Sequence, residues 1–184
     1  SAVNSVQNYV WRIAGTIEGG RSSNIIPLDD ATGLPQGISS RSSVFASAGV
    51  AASVQRRLGE DGTISGGYNL YAMLVDESSD LDSMTHTMTA GTVKGFGSSG
   101  FVGAMRLELG LDQVGGTEFR NRFLACPVLA YRLARWTSLE GTYTYIRDDY
   151  KLATPVSAQD RDGNTHVMAV AQYFHPINSQ FRIR

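Results

Sequence analysis

Long stretches of this chain alternate between apolar and polar positions, and this period of two is the feature that most constrains its fold. From Ile64 to Leu74 the apolar row occupies the even positions, and from Phe101 to Leu111 it occupies the odd positions. A period of two places successive side chains on opposite faces of a strand, whereas a helix needs a period of about 3.6. The sequence therefore predicts an all-β protein.

The same alternation recurs along most of the chain and predicts a series of long strands. Many are more than twice as long as ordinary globular strands, which average about 5–6 residues. A tilted strand needs roughly 9–11 residues to cross a bilayer, so these lengths are compatible with a membrane β-barrel. The predicted strands lie at about 5–19, 43–57, 63–76, 83–95, 100–112, 118–133, 137–148 and 165–175, with a ninth beginning near Gln180.

Two of these segments carry a second interpretation or an expected irregularity. The run from Val44 to Leu58 is rich in alanine and closed by Gly59, so an alanine-rich helix with a glycine C-cap is the alternative there. Pro127 lies inside the sixth predicted strand and cannot donate a backbone hydrogen bond, which predicts a bulge or a local break.

Composition excludes several classes of protein. The chain has 184 residues, of which 18% are charged, and a formal net charge of −1, so no basic face for nucleic acid is indicated. Its single cysteine, Cys126, excludes an internal disulfide and a cysteine-based metal cluster. No apolar run approaches the roughly 18 residues of a transmembrane helix. A soluble all-β domain and a membrane β-barrel remain.

The predicted connections alternate in length, which favours the barrel. Short turns on one side and long loops on the other are typical of outer-membrane barrels, whose turns face the periplasm. A soluble sandwich would rarely sort its loops in this way. The short connections are predicted at 58–62, 96–99, 134–136 and 176–179, and the longer ones at 20–42, 77–82, 113–117 and 149–164.

An internal repeat relates two stretches at an offset of 80 residues, with Asp82 and His86 aligned with Asp162 and His166. Each stretch follows a longer loop and opens a strand, so the repeat is interpreted as equivalent hairpins of a barrel wall. The functional hypothesis is a rim site that uses both histidines. The alternative is that aspartate and histidine satisfy each other where strands leave the bilayer.

Charged residues share strand faces opposite the apolar rows. Arginine facing lipid at the bilayer midplane costs about 2–4 kcal/mol, so in a barrel these side chains must point inward or lie near an interface. A polar lumen that guides a substrate and an inert interior network of ion pairs are both consistent with this pattern. The residues predicted to line the lumen are Arg106, Glu108, Arg120, Arg122 and Glu140.

The sequence gives little support to catalysis or metal binding. A nucleophilic triad from a serine with His86 or His166 and Asp82, Asp160 or Asp162 is a minor alternative, and the commoner role of such residues is as polar rim groups. Asp160, Asp162 and Asn164 place oxygens at alternate positions, as a calcium loop does, but the distal glutamate of an EF-hand is absent, which favours a turn. We expect no enzyme activity, no metal and no cofactor.

Short aromatic motifs resemble one family of outer-membrane barrels. The segment Gly20-Arg21-Ser22-Ser23-Asn24 resembles the Asp-Ser-Asn turn that opens certain C-terminal barrels. The family is the set of barrels behind tetratricopeptide-repeat segments, including the surface lipoprotein assembly modulators and, more distantly, the exopolysaccharide-export porins. This resemblance implies a translocation or export pore and no catalytic residues. It is also carried by Tyr68, Tyr71, Asp82, His86, Tyr131, Arg132, Leu133, Tyr143, Tyr145, Asp149, Tyr150 and His166.

Together these features predict one domain over residues 1–184, an antiparallel up-and-down transmembrane β-barrel of eight or nine strands or a fragment of a larger one. The expected function is a pore or translocation channel in the bacterial outer membrane. The expected partners are outer-membrane lipid, an exported polypeptide or polysaccharide, and partner protein subunits. The alternatives are a non-conducting structural, adhesion or scaffolding barrel and a soluble all-β binding domain.

Overall fold

A computed structural model describes residues 9–22, 43–76, 79–134, 136–151 and 162–174. Eight long antiparallel strands account for nearly all of them, and the all-β prediction is confirmed. Two three-residue 3₁₀ turns, at Ser79–Leu81 and Gly97–Ser99, lie between strands. The strands are β1 Tyr9–Ser22, β2 Ser43–Leu58, β3 Gly62–Val75, β4 Ser83–Gly95, β5 Phe101–Val114, β6 Thr117–Ala134, β7 Thr137–Tyr150 and β8 Gly163–Phe174.

The strands follow one another in a single sheet of order β1-β2-β3-β4-β5-β6-β7-β8. Each strand pairs only with its neighbours in sequence, which is the up-and-down topology predicted above. Among the described residues β1 and β8 do not pair with each other, so the sheet is open and has two edge strands. The closed barrel therefore remains a prediction.

All eight strands within the described residues match the predicted segments, with ends that differ by a few residues. The run from Val44 to Leu58 is a strand, and the alternative of a helix is wrong, because β2 pairs along its length with both β1 and β3. The ninth strand near Gln180 lies outside the described residues.

Turn lengths agree with the prediction at one end of the sheet and only partly at the other. At the first end, short connections at 59–61, 96–100 and 135–136 join consecutive strands. At the opposite end, which we call the loop end, 23–42 and 151–162 are long, but β5 and β6 are joined by Gly115 and Gly116 alone. Both glycines have positive φ, 57° and 75°, as a two-residue type I′ turn requires. The longer loop predicted at 113–117 is therefore wrong.

Pro127 interrupts the sheet on one side only. Residues Cys126 and Pro127 pair with β5, but the ladder between β6 and β7 passes from Ala125 to Val128 without them. The register is the same before and after this gap, so the proline causes a local break without a bulge. The register shift in this pair of strands lies further along, between Arg132 and Ala134.

The hairpins are displaced along the strand direction as the sheet is followed from β1 to β8. The row that contains Ile13 lies far from the loop end of β1, yet it reaches β8 at Asn164, next to that strand's first residue. A progressive stagger of this kind is what tilted strands require when a sheet curls toward a barrel. The row consists of Ile13, Ala52, Tyr68, Met88, Leu109, Phe123, Arg147 and Asn164.

No second layer packs on this sheet within the described residues. Val75, at 6% exposure, is the one hydrophobic residue among them that is buried. Folded domains in water normally bury an apolar face of a sheet against another sheet or a helix. Neither 3₁₀ turn has the length or the apolar character of a membrane-crossing helix, and no other helix occurs in the described ranges.

Candidate functional site

The register divides the side chains of the sheet into two faces of opposite chemistry. Residues paired across neighbouring strands point to the same face, so the pairings fix both faces from β1 to β8. We call the first the apolar face. Its members include Trp11, Ile13, Ile17, Val50, Val54, Ile64, Leu70, Leu74, Met88, Leu107, Leu109, Phe123, Leu129, Leu139, Met168 and Val170.

The opposite face, which we call the polar face, has two chemically different parts. Small and hydroxyl-bearing side chains cover β2 to β4, where Gly91 leaves room that Ser65 Oγ occupies, 2.9 Å from the position a Cβ would take. Charged side chains cover β5 to β7. The hydroxyl part contains Ser47, Ser53, Ser65, Thr85, Thr87 and Thr89, and the charged part contains Arg106, Glu108, Asp112, Arg120, Arg122, Glu140 and Asp148.

Exposure on the two faces is the reverse of that in a water-soluble protein. Leu109 is 56% exposed and Met88 58% on the apolar face. On the polar face, the side chains of Glu108 and Asp112 are each 17% exposed and that of Asp148 is 19% exposed. Carboxylates are thus better covered than leucine and methionine. Within the described residues, the apolar surface is accordingly the side of the sheet that is left uncovered.

The apolar face has polar residues at its two ends. Arg56 and Lys94 lie near the short turns, while Asn121 and Arg147 lie toward the loop end. On β5 the apolar positions run from Phe101 to Leu111, roughly 33 Å at about 3.3 Å per residue.

Four charged residues of the polar face form one connected network, which we call the charge cluster: Asp112, Arg120, Arg122 and Asp148. Arg122 donates two hydrogen bonds to Asp148, from Nε to Oδ1 at 2.7 Å and from Nη2 to Oδ2 at 2.9 Å. Arg120 Nε donates to Asp112 Oδ2 at 2.7 Å and lies 4.0 Å from Asp148 Oδ1. The cluster therefore ties β5, β6 and β7 together through alternating charges.

All five residues predicted to line a lumen lie on the polar face, but the structure places them in different surroundings. Arg120 and Arg122 belong to the charge cluster. Arg106 donates to Glu108 on its own strand, from Nη2 to Oε2 at 2.6 Å, and its side chain is 63% exposed. Glu140 accepts a long hydrogen bond of 3.5 Å from Thr142 Oγ1. The polar face therefore brings the five residues together on one surface without making them a single cluster.

The sequence did not identify Asp148 as a lumen residue, although it is the bidentate partner of Arg122. The sequence did contain a signal for it, because Asp148 and Glu140 are both even-numbered residues of β7 and therefore lie on the same face. The neighbouring Asp149 lies on the other face, where Lys151 Nζ donates to its Oδ2 at 2.7 Å. This hydrogen bond to Asp149 raises the pKa of Lys151 above its ordinary value.

The predicted repeat of hairpins is visible in the structure. Tyr68 Oη lies 2.6 Å from Nδ1 of His86, and Tyr143 Oη lies 2.6 Å from Nδ1 of His166. The ring centroids are 6.1 Å apart in both pairs, with interplanar angles of 40° and 39°. Both pairs lie on the apolar face, and in both the tyrosine stands opposite the residue two positions after the histidine. The hairpins β3–β4 and β7–β8 are therefore structurally equivalent.

The aspartates of the repeat have a backbone role. Asp82 Oδ1 accepts a hydrogen bond from the backbone N–H of Val75 at 2.8 Å, and Asp162 Oδ1 accepts one from Tyr150 at 2.6 Å. Each aspartate thus closes the loop end of its hairpin. The interpretation in which aspartate and histidine satisfy each other is wrong, because the partner of each histidine is a tyrosine.

A single rim site that uses both histidines is also not formed. His86 lies on β4 and His166 on β8, with three strands between them. At about 4.8 Å per strand this separation is roughly 19 Å across the sheet. With its histidine bound to tyrosine and its aspartate bound to backbone, neither hairpin assembles the hydrogen-bonded chain of a nucleophilic triad.

Metal-ligand clusters are missing from the described ranges, where no group of three or more histidine, cysteine, aspartate or glutamate side chains could hold an ion. Of the calcium alternative, Asp160 lies outside the described residues, and Asn164 Oδ1 accepts a hydrogen bond from Tyr145 at 2.9 Å. Cys126 is a free cysteine on the polar face.

Comparison of the chain with protein families, with curated proteins and with solved structures finds no match. The open sheet and its two contrasting faces are the features of the molecule that bear on its function.

Proposed function

We propose that this chain forms an outer-membrane β-barrel, or part of one, that serves as a pore or translocation channel across the bacterial outer membrane. The observation that carries the proposal is the reversed exposure of the two faces. Leu109 is 56% exposed, whereas the carboxylate side chain of Asp112 is 17% exposed. In a barrel the side chain of Leu109 would contact lipid and the carboxylate of Asp112 would face a polar interior, so both would have a favourable environment.

The geometry of the sheet supports this proposal. The strands have 12 to 18 residues, more than the roughly 9–11 that a tilted strand needs to cross a bilayer. The hairpins are progressively displaced along the strand direction, as the tilted strands of a curled sheet require. The polar residues at both ends of the apolar face would lie at the two membrane surfaces. A soluble binding domain is disfavoured because nothing in the described part of the chain covers the apolar face.

Closure would involve the two edge strands. Isolated sheet edges in lipid leave backbone groups without partners at a cost of several kcal/mol each. In the proposed barrel the free edges of β1 and β8 therefore pair, either with each other or with further strands of a larger barrel. The total strand number sets the width of the lumen.

The polar face would line this lumen. Its hydroxyl part on β2 to β4 and its charged part on β5 to β7 suit a polar or charged substrate. An exported polypeptide or polysaccharide fits this chemistry, and it agrees with the resemblance to the export barrels found behind tetratricopeptide repeats. Arg106 is the arginine of the charged part that is most exposed, which suits contact with a passing substrate.

A non-conducting scaffold barrel is the second candidate, and the charge cluster is the observation that favours it. Arg122 and Asp148 satisfy each other with two hydrogen bonds, as expected of an interior network that fills a narrow barrel. In such a barrel, removing one member would leave its partner charged and poorly solvated.

Conductance in planar bilayers separates the two candidates. We expect the refolded full chain to conduct, and Arg106→Gln to shift its ion selectivity toward cations, because a fixed positive charge is lost from a confined space. Arg56→Gln is the matched control, since Arg56 lies on the apolar face and its loss should leave selectivity unchanged. Insertion without conductance would favour the scaffold barrel over the pore, whereas destabilisation by Arg122→Gln is expected of both.

A further inference from the structure

The apolar face contains one groove whose chemistry fits a particular ligand. It has a volume of about 520 Å³, within the range of roughly 300–1,000 Å³ typical of small-molecule sites. Met88, Leu109 and Phe123 are register partners on β4, β5 and β6 and form its floor. Tyr68 and Arg147 continue the same row on either side. An apolar floor is thus bounded by a phenol on one side and a guanidinium on the other.

We propose that this groove binds an anionic amphiphile, with an acyl chain along Met88, Leu109 and Phe123 and a phosphate-bearing headgroup at Arg147. The inference rests on the proposed function, because it is the bilayer that would supply such a lipid. It adds a specific site to an otherwise general lipid-facing surface.

Charge complementarity is the reason to assign an anion to Arg147. This residue is exposed on the apolar face, and no carboxylate of the described chain lies within 4.0 Å of it. One carboxylate, that of Asp149, also lines the groove and interacts electrostatically with Arg147, but Lys151 Nζ pairs with it directly at 2.7 Å. Lys151 thus compensates the charge of Asp149, and the positive charge of Arg147 remains for a ligand. A guanidinium at a lipid-facing position is unfavourable unless it lies near the interface or meets an anion, and its planar fork binds phosphate oxygens in pairs.

His86 adds a second polar group to the groove. Its Nδ1 faces the phenol oxygen of Tyr68 at 2.6 Å, so when tyrosine donates this hydrogen bond the ring proton resides on Nε2. The groove wall then offers an N–H donor as well as the guanidinium of Arg147. Donors at its margin and hydrocarbon along its floor are what a phospholipid requires, whereas a free phosphate ion would gain nothing from the floor.

The test compares lipid retention by the full chain refolded in equal mixtures of phosphatidylglycerol and phosphatidylcholine and analysed by native mass spectrometry. We expect phosphatidylglycerol to be retained about tenfold more often, because the choline ammonium of phosphatidylcholine neutralises its phosphate, whereas phosphatidylglycerol offers Arg147 a net negative charge. Arg147→Gln should abolish this preference. Arg56→Gln should preserve it, because Arg56 carries the same charge on the same face near the short turns, 5.2 Å from the ring of Tyr9.

Each other outcome overturns the inference in a recognisable way. Equal loss in the two arginine variants would reduce the effect to net charge, and displacement of the lipid by millimolar inorganic phosphate would show a phosphate site without a role for the acyl chain. A lipid-free dimer would assign the groove to a second copy of the chain. Insertion without any lipid preference would refute this inference alone, whereas failure to insert would refute the proposed function as well.

Discussion

Tyr143 Oη and His166 Nδ1 lie 2.6 Å apart, and Tyr68 and His86 repeat this contact at the same distance four strands away. The aspartates that cap the two hairpins repeat as well. The repeated feature is therefore a three-dimensional unit, a hairpin with a tyrosine–histidine pair on its apolar face, although the two residues are 18 positions apart in one hairpin and 23 in the other. Such amphipathic side chains suit the boundary between hydrocarbon and headgroups, where one end of the group is apolar and the other polar.

Removal of either tyrosine hydroxyl tests how much these hydrogen bonds contribute to stability. We expect Tyr68→Phe and Tyr143→Phe each to lower the free energy of unfolding by about 1 kcal/mol, the net value of one hydrogen bond. Their effects should add, because the pairs share no partner and lie far apart. Urea titration of the protein refolded in vesicles measures this. Tyr71→Phe is the control, since the Tyr71 hydroxyl lies on the polar face and has no hydrogen-bond partner in the described segments. An equal loss in Tyr71→Phe would show that the tyrosine–histidine hydrogen bonds are not the source of the effect.

The strands were predictable from sequence because their alternation is a local property. Side chains in Ile64–Leu74 and Phe101–Leu111 reveal their face by parity alone, and the register confirms that parity. The common face of Arg106 and Arg122 followed from the same parity.

Side-chain partners were not predictable, because they depend on register between strands. The register between β3 and β4 decides whether His86 contacts Asp82 or Tyr68. That register depends on the conformation of the connecting loop, which the sequence pattern does not reveal. The turn between β5 and β6 was missed for a different reason. Gly115-Gly116 is a strong signal for a two-residue type I′ turn, but the expectation of a long loop on that side outweighed it.

Arginine substitutions on β5 test which face meets lipid. Met105 and Ala104 are adjacent and therefore at nearly the same depth, but they lie on the apolar and the polar face respectively. We expect Met105→Arg to destabilise the protein folded in bilayers by about 2–4 kcal/mol, with Leu107→Arg at least as destabilising. Ala104→Arg should cost much less. Equal costs for Met105→Arg and Ala104→Arg would show that neither face is lipid-facing.

The charge cluster should contribute more to stability than an exposed ion pair of the same length. Arg122→Gln leaves Asp148 with Arg120 alone, at 4.0 Å, and we expect a loss of about 1–3 kcal/mol, the cost of leaving a partly buried acceptor without its partner. Adding Asp148→Asn should recover part of it, because the uncompensated charge is then removed. Lys151→Gln is the matched control, since its 2.7 Å pair with Asp149 is exposed and screened by solvent, and its loss should change the free energy of unfolding little. Similar losses for Arg122→Gln and Lys151→Gln would show that the charge cluster is no better shielded from solvent than an exposed ion pair.

The loop end should lie on one side of the membrane and the short turns on the other. Ser79 and Ser98 serve as matched sites, because both lie in three-residue 3₁₀ turns at opposite ends of the strands. In a Cys126→Ser background on intact cells, we expect Ser79→Cys to react with a membrane-impermeant maleimide and Ser98→Cys to remain unlabelled. The reverse pattern would invert the topology, and labelling of both sites would rule out a membrane between them.

The most direct test of the central claim, that the apolar face meets lipid and the polar face meets water, is a quenching scan along β5. Single cysteines replace successive residues in a Cys126→Ser background, each labelled with one fluorophore and refolded into vesicles. We predict a period of two, with bromolipid quenching at Met105, Leu107 and Leu109, and iodide quenching at Ala104, Arg106 and Glu108. Iodide quenching at every position, or no alternation between the two quenchers, would contradict the account.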